Sequence, residues 1–174
     1  TGKAHIDTLR PILIEDLLGR DSVPSNQELI GEKVKHSIIC ITGAGGSIGS
    51  EIARQVIRLN PRRLILLENN ESSLYSIDQE LRFSLPEDIE LQPVLGNAGD
   101  AILMKQLFEK QAVQLVFHAA AYKHVPLVEA NPLVALANNT ISTQVVCQAA
   151  RNAGSSQVIL ISTDKAVRPT NVMG

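Results

Sequence analysis

The chain has 174 residues, enough for one domain with a real core. Hydrophobic residues make up 44% and charged residues 20%, with a net charge of −2; no basic face points to nucleic acid and no polybasic run to an anionic membrane. Aromatic residues are 3%, with no Trp, which leaves no stacking platform for bases or exposed sugars.

Residues 1–36 fit no repeat. Ile12-Leu13-Ile14-Glu15-Asp16-Leu17-Leu18 suits a short helix or strand, and residues 22–35 read as mostly loop, so this stretch is expected to be a leader from an upstream region. From residue 37 the pattern becomes regular. Ser37-Ile38-Ile39-Cys40-Ile41 reads as a buried strand, and the glycine-rich turn Thr42-Gly43-Ala44-Gly45-Gly46-Ser47-Ile48-Gly49 follows it. An amphipathic segment then spans 51–59. Further strands are expected at 63–68, 89–95, 114–118 and 157–161. Helices are expected at 71–83, with Leu74, Ile77 and Leu81 on one face, after Asp100 as N-cap, and at 132–153, closed by Gly154.

Apolar strands alternating with helices imply a parallel sheet covered on both faces. Right-handed crossovers with the glycine turn on the first strand give a Rossmann-like, doubly wound α/β domain over 37–174, of strand order 3-2-1-4-5. Cys40 and Cys147 fall in predicted core segments without ligand spacing; they read as reduced thiols, and no metal site is expected. No apolar run approaches the roughly 18 residues of a membrane-spanning helix, and no signal peptide is visible. The chain starts at Thr1 and stops at Gly174 inside a motif, so it reads as a piece of a larger protein.

Ligands of such sheets bind at the carboxyl ends of the strands, near the switch between strands 1 and 4. In the glycine turn, Gly43 allows the tight bend, Gly46 lets backbone approach a pyrophosphate and Gly49 allows close helix packing; Ser47 and Ile48 complete the cofactor-binding turn, and the N-terminus of the helix that follows offers free N–H groups. Glu68, with Asn69 beside it, ends strand 2 about twenty residues on, where a carboxylate binds adenosine ribose hydroxyls and repels a 2′-phosphate. NAD is therefore favoured over NADP. Asn97 and Ala98 lie where adenine would sit, although a Gly-Asn turn explains Asn97 nearly as well. Small residues Ala119, Ala120 and Ala121 let backbone pass near the cofactor, and tight packing would also demand them.

Lys123 suits a ribose or phosphate contact or a surface position, and His118 reads as a satisfied strand-end histidine rather than a catalyst. Asn139 is a poor helix former inside the long helix, which suggests a hydrogen bond supporting the site. Thr163, Asp164 and Lys165 follow strand 5 beside the expected nicotinamide. An adjacent acid and amine there suit either a proton donor with a base or a capped turn with a solvated ion pair.

At these residues the chain resembles the extended short-chain dehydrogenase/reductase superfamily, and within it the nucleotide-sugar 4,6-dehydratases of polysaccharide biosynthesis of the long, membrane-anchored type. The likeness is carried by Ile14-Glu15-Asp16-Leu17-Leu18-Gly19-Arg20, the glycine loop through Ser50-Glu51, and Glu68-Asn69-Asn70-Glu71. His118-Ala119-Ala120-Ala121-Tyr122-Lys123-His124-Val125-Pro126-Leu127 and Asn131-Pro132 add to it. The most specific stretch is Ser162-Thr163-Asp164-Lys165-Ala166-Val167-Arg168-Pro169-Thr170-Asn171-Val172-Met173-Gly174.

The resemblance implies a bound NAD and a UDP-linked sugar, with UDP-N-acetylglucosamine leading. The reaction would be oxidation at carbon 4, loss of water across carbons 5 and 6, and hydride return. Asp164 would be the acid for the departing hydroxyl, Lys165 the base at carbon 5, and Thr163 a partner near the 4-hydroxyl. A base lysine must be neutral, which burial or a cationic neighbour brings about. Lysine instead of glutamate after Thr-Asp points to the acetamido-sugar branch.

The superfamily usually has tyrosine where Met173 stands, and methionine neither gives nor takes a proton. The long dehydratases tolerate this methionine, which leaves the 4-hydroxyl's base open between Asp164 and an ordered water. A ribose-binding lysine of the family falls beyond Gly174, so this piece alone is expected not to turn over substrate. The resemblance also implies an upstream membrane region and a cytoplasmic domain of an inner-membrane protein, and it leaves the oligomeric state open, a homo-oligomer included. A sugar-nucleotide epimerase of the same fold and a non-catalytic NAD-sensing module are the rival readings.

Overall fold

The computed structural model describes residues 27–174, with side chains from residue 31; the segment 12–18 and the motif 14–20 lie outside the described residues. The centre is a five-stranded parallel sheet of order β3-β2-β1-β4-β5, as the alternating pattern predicted. Its strands are β1 (Ile38–Thr42), β2 (Arg63–Glu68), β3 (Glu90–Leu95), β4 (Leu115–His118) and β5 (Gln157–Leu160). Cys40 pairs with Ile65 on one side and Val116 on the other, so β1 is enclosed from both edges.

Successive strand residues point to opposite faces, and this alternation divides the core in two. Ile39, Ile41, Leu64 and Leu66 meet α2 (Ser47–Ile57) and α3 (Glu71–Phe83) through Ala53, Val56, Leu74, Ile77 and Leu81. Cys40, Ile65, Leu67 and Val116 meet α4 (Ala101–Gln111) and α7 (Ser142–Ala153) through Met104, Phe108, Val146 and Ala149. Pro93 has no N–H to give and is admitted because β3 is an edge strand.

Four local expectations are corrected. Residues 27–34, read within a loop, form α1 (Gln27–Val34). Gly31 and a weak amphipathic pattern hide it; the helix is held by Val34, fully buried in the first core, and by Lys33, whose ammonium donates to Gln157 Oε1 at 3.1 Å. The helix after the glycine turn starts at Ser47, four residues before the amphipathic run. Two short helices, α5 (Val125–Ala130) and α6 (Pro132–Leu136), follow β4, each with proline in its first turn. The expected helix 132–153 is interrupted by a π-helical step, Ala137–Ile141. Cys147 is exposed rather than core, because it falls on the outer side of α7 beside buried Val146; Cys40 is buried, and burial pushes its thiol up to about 12.

Asp100 caps α4 as expected, accepting from Ile102 and Leu103 N–H, both at 3.0 Å. The other end is closed by Ala112 in the left-handed region, at φ 53°, where glycine would be free of strain. Ala112 is exposed, so its methyl group contributes no core contact. Ala112→Gly should therefore raise stability by about 1 kcal/mol, read as a higher urea midpoint with an unchanged slope.

Candidate dinucleotide-binding site

β1 runs into a turn that has little room for side chains. A Cβ on Gly43, which sits at φ +68°, would lie 2.7 Å from Ala120 N and 2.8 Å from the Ala119 carbonyl. On Gly45 it would lie 2.5 Å from Ser73 Cβ, and on Gly49 it would run into the Gly43 carbonyl. Gly46 differs: its only neighbour within 4 Å would be Gly43 O at 3.3 Å. Three glycines are thus demanded by the fold, whereas Gly46 faces the cleft. Gly45 was not among the sequence candidates; the doubled Gly45-Gly46 was the available signal, and the motif assigns only one of the pair. Gly46 also caps α2 in extended conformation with no side-chain cap, so the first-turn amides at Ser47 and Ile48 are left for an anion.

Glu68 ends β2 almost buried, at 9% exposure. Its Oε2 accepts from Gly45 N–H at 3.0 Å, and its Oε1 from the Asn69 and Asn70 amides at 2.9 and 3.0 Å. The carboxylate therefore ties the glycine turn to the start of α3. An ionised carboxylate takes about four hydrogen bonds, so room for one more donor remains.

Two cavities open along the strand ends. The smaller, about 200 Å³, is bordered by Gly43, Gly46, Glu68, Asn69, Asn97, Ala98, Ala119, Ala120 and Ala121. Within it Asn97 makes the anticipated turn, its Oδ1 accepting from Gly99 N–H at 2.7 Å. The larger, about 470 Å³, runs from Gly46, Ser47, Ile48 and Gly49 past Lys123 and His124 to α5 and α6. Ala119, Ala121 and Tyr122 border both. Lys123 reaches across to donate to Ser47 Oγ at 3.1 Å, which puts its ammonium at the start of α2. Asn139 borders neither cavity. Its side chain accepts from Tyr122 N–H at 2.8 Å and donates to Tyr122 O at 3.0 Å, so it holds the loop that separates them.

Thr163, Asp164 and Lys165 stand apart from both cavities, on a single 3₁₀ turn (Asp164–Ala166) after β5. Lys165 Nζ lies 3.7 Å from Asp164 Oδ1, and the Thr163 hydroxyl donates to the same oxygen at 3.0 Å. That hydroxyl first, and the Lys165 charge second, hold Asp164 below the usual carboxylate range. Exposed in this way, the pair suits an ionised carboxylate rather than a proton donor. Met173 also lies away from the cavities; its amide donates to Asn171 Oδ1 at 3.1 Å, and the adjacent Val172 amide donates to Glu129 Oε1 at 2.7 Å.

A glycine cradle at an uncapped helix start, a lysine above it, a carboxylate at the end of β2 and a cavity at each side fit a dinucleotide. Together with the sheet order they define a Rossmann-like dinucleotide-binding domain. The chain belongs to the polysaccharide biosynthesis protein family, which residues 39–174 match. It is 43% identical over all 174 residues to the capsular polysaccharide biosynthesis protein CapD of Staphylococcus aureus, and it spans 29% of that protein's length. It is 33% identical over 137 residues to a UDP-glucose 4-epimerase of Rickettsia rickettsii, covering 78% of this chain and 39% of the epimerase. The crystal structure of Pen from Bacillus thuringiensis matches with a TM-score of 0.74 at 28% identity, over 82% of this chain and 43% of Pen.

Two outcomes follow from this geometry. Gly46→Ala should cost less than about 1 kcal/mol of stability, since only one neighbour must give way, yet weaken dinucleotide binding at least roughly tenfold; Gly49→Ala should lower both. Calorimetric titration beside thermal melts separates the two. His118, 2% exposed, is held down to about 4 from its ordinary 6.5 by burial. The unfolded chain takes up that proton first, so the contribution is intact above 6.5 and is lost as pH falls from there towards 4. Stability should drop by roughly one kcal/mol per pH unit in that window beyond the drop in His118→Gln, as measured by urea melts from pH 7 to 5.

Proposed function

We propose that this chain is the cofactor-binding part of a UDP-N-acetylhexosamine 4,6-dehydratase, with NAD as cofactor and UDP-N-acetylglucosamine as substrate. The observation that carries the reading is Thr163-Asp164-Lys165: an acid and an amine 3.7 Å apart just after β5, the strand that pairs with β4. An epimerase has no need of an acidic donor beside a lysine.

NAD, when bound, supplies a hydride acceptor for carbon 4 and returns the hydride at carbon 6. The first-turn amides at Ser47 and Ile48 hold its pyrophosphate, with Gly46 leaving room and Lys123 adding charge. Glu68 takes a ribose hydroxyl with its remaining lone pair and, being anionic, disfavours a 2′-phosphate; Asn69, Asn97 and Ala98 border the adenine. Ala119, Ala120 and Ala121 give the passage its width, and Asn139 keeps their loop in place through Tyr122.

On the substrate, Lys165 removes the carbon-5 proton that the 4-keto group acidifies and returns it to carbon 5 when hydride reaches carbon 6, and Asp164 protonates the hydroxyl leaving carbon 6. Thr163 holds the sugar near its 4-hydroxyl. Met173 carries no proton, so Asp164 or a water takes the one from the 4-hydroxyl. Asp164 needs cover from solvent to act as a donor, and the substrate together with the further length seen in the capsular relative would supply it. A cytoplasmic position in an inner-membrane protein rests on the resemblance to anchored dehydratases; among the described residues no helix is long and apolar enough to cross a membrane.

The second reading, a nucleotide-sugar epimerase, is favoured by the likeness to the Rickettsia enzyme. Mass spectrometry of UDP-N-acetylglucosamine after incubation with NAD and the complete catalytic domain decides between them. The expected product is lighter by one water and is lost in Asp164→Asn and in Lys165→Ala. An isomer of unchanged mass would establish the epimerase instead. Tight NAD binding with no reaction would favour a sensing module.

A further inference from the structure

The π-helical step between α6 and α7 costs regular hydrogen bonds and therefore needs support. The Ser142 amide reaches back five residues to Ala137 O, the signature of the step. Inside it, the Ser142 hydroxyl bonds the Asn138 carbonyl, and the Thr143 hydroxyl donates to Asn139 O at 2.6 Å. Behind Thr143 stands His118, its Nε2 3.0 Å from Thr143 Oγ1 and its Nδ1 2.6 Å from Thr42 Oγ1.

The proton positions along this line follow by elimination. A hydroxyl oxygen 2.6 Å from a carbonyl oxygen must place its only hydrogen between them, so Thr143 can give nothing to His118 and accepts from it. His118 Nε2 is therefore the protonated nitrogen. The buried ring is neutral, which leaves Nδ1 a bare acceptor, and the hydrogen in the 2.6 Å contact comes from Thr42. Every donor points the same way, from β1 through β4 into the step.

We propose that His118 is a positioning residue: as a single Nε2–H tautomer it holds Thr143 and, through it, the π-helical step, which aims the Asn139 amide at Tyr122 and so sets the wall between the two cavities. The inference deepens the cofactor reading and rests on it for its consequence, since Tyr122 borders both cavities and Lys123 is the next residue. Nothing in the role requires His118 to touch a ligand or exchange a proton. Its neutrality is what keeps the direction of the chain unique.

The test is long-range proton–nitrogen NMR of the ¹⁵N-labelled 174-residue chain, with amide exchange at Tyr122. The expected result is a protonated Nε2 and a bare Nδ1 on His118 in the unsubstituted chain; the opposite tautomer or a charged ring overturns the proposal. Thr143→Val should speed Tyr122 exchange at least tenfold, and Thr143→Ser should keep it within twofold. Unchanged exchange in Thr143→Val overturns the proposal. So does an equal acceleration in Val146→Ala, which removes buried volume from the same helix without touching the chain of bonds. NAD titration of the unsubstituted chain is scored separately: no binding there refutes the cofactor reading, while tautomer and exchange still decide the role of His118.

Discussion

The turn after β1 closes because side chains are missing at three places, and the arrangement of the site follows from that closure. With no Cβ at Gly43 the turn lies against the backbone at Ala119 and Ala120, with none at Gly45 it meets Ser73, and with none at Gly49 the first turn of α2 rests on the Gly43 carbonyl. Backbone from β1, β4 and two helices meets within a few ångströms. The cost of a side chain there is steric and unavoidable, because the neighbours at Gly43 and Gly49 are main-chain atoms that cannot rotate away. Gly46 escapes this constraint, which is why it alone can be read as serving a ligand rather than the fold.

Two buried polar nodes hold the strands on either side of β1 to this turn. Glu68, at the end of β2, gathers three amides from the glycine turn and the start of α3. His118, at the end of β4, joins Thr42 to Thr143. Each is satisfied by hydrogen bonds, so burial does not leave an orphaned donor or acceptor. They differ in what they leave free: Glu68 retains capacity for one more donor facing the smaller cavity, whereas both nitrogens of His118 are used. Asn139 extends the second node to Tyr122, so the loop bearing Lys123 is held through side chains from β1, β4, α7 and the π-helical step.

The parts legible in the sequence were those governed by local pattern. The apolar run 37–41 placed β1, the N-cap at Asp100 needed only the residue and its neighbours, and the order of strands followed from the handedness of crossovers. The glycine turn and Glu68 were found by spacing. What escaped was non-local. Helix α1 is held by the burial of Val34, which a 27–34 segment containing Gly31 does not announce. Cys147 faces outwards because of the turn on which α7 starts, and that turn depends on the π-helical step. Asn139 suggested a supporting bond, but its partner, Tyr122, is seventeen residues away.

The sequence by itself determined the fold class, the strand order and the family, because hydrophobic period, turn chemistry and motif spacing act over short stretches and survive without knowledge of contacts. Only the tertiary structure decided that Gly45 too serves packing, that Glu68 is already bound to the turn it faces, and that both nitrogens of His118 are taken, by Thr42 and Thr143. These are questions of which atoms meet across the sheet. Asp164 and Lys165 show the same division: their adjacency is written in the chain, while their exposure, and with it the ionised state of Asp164, is set by what surrounds the turn after β5.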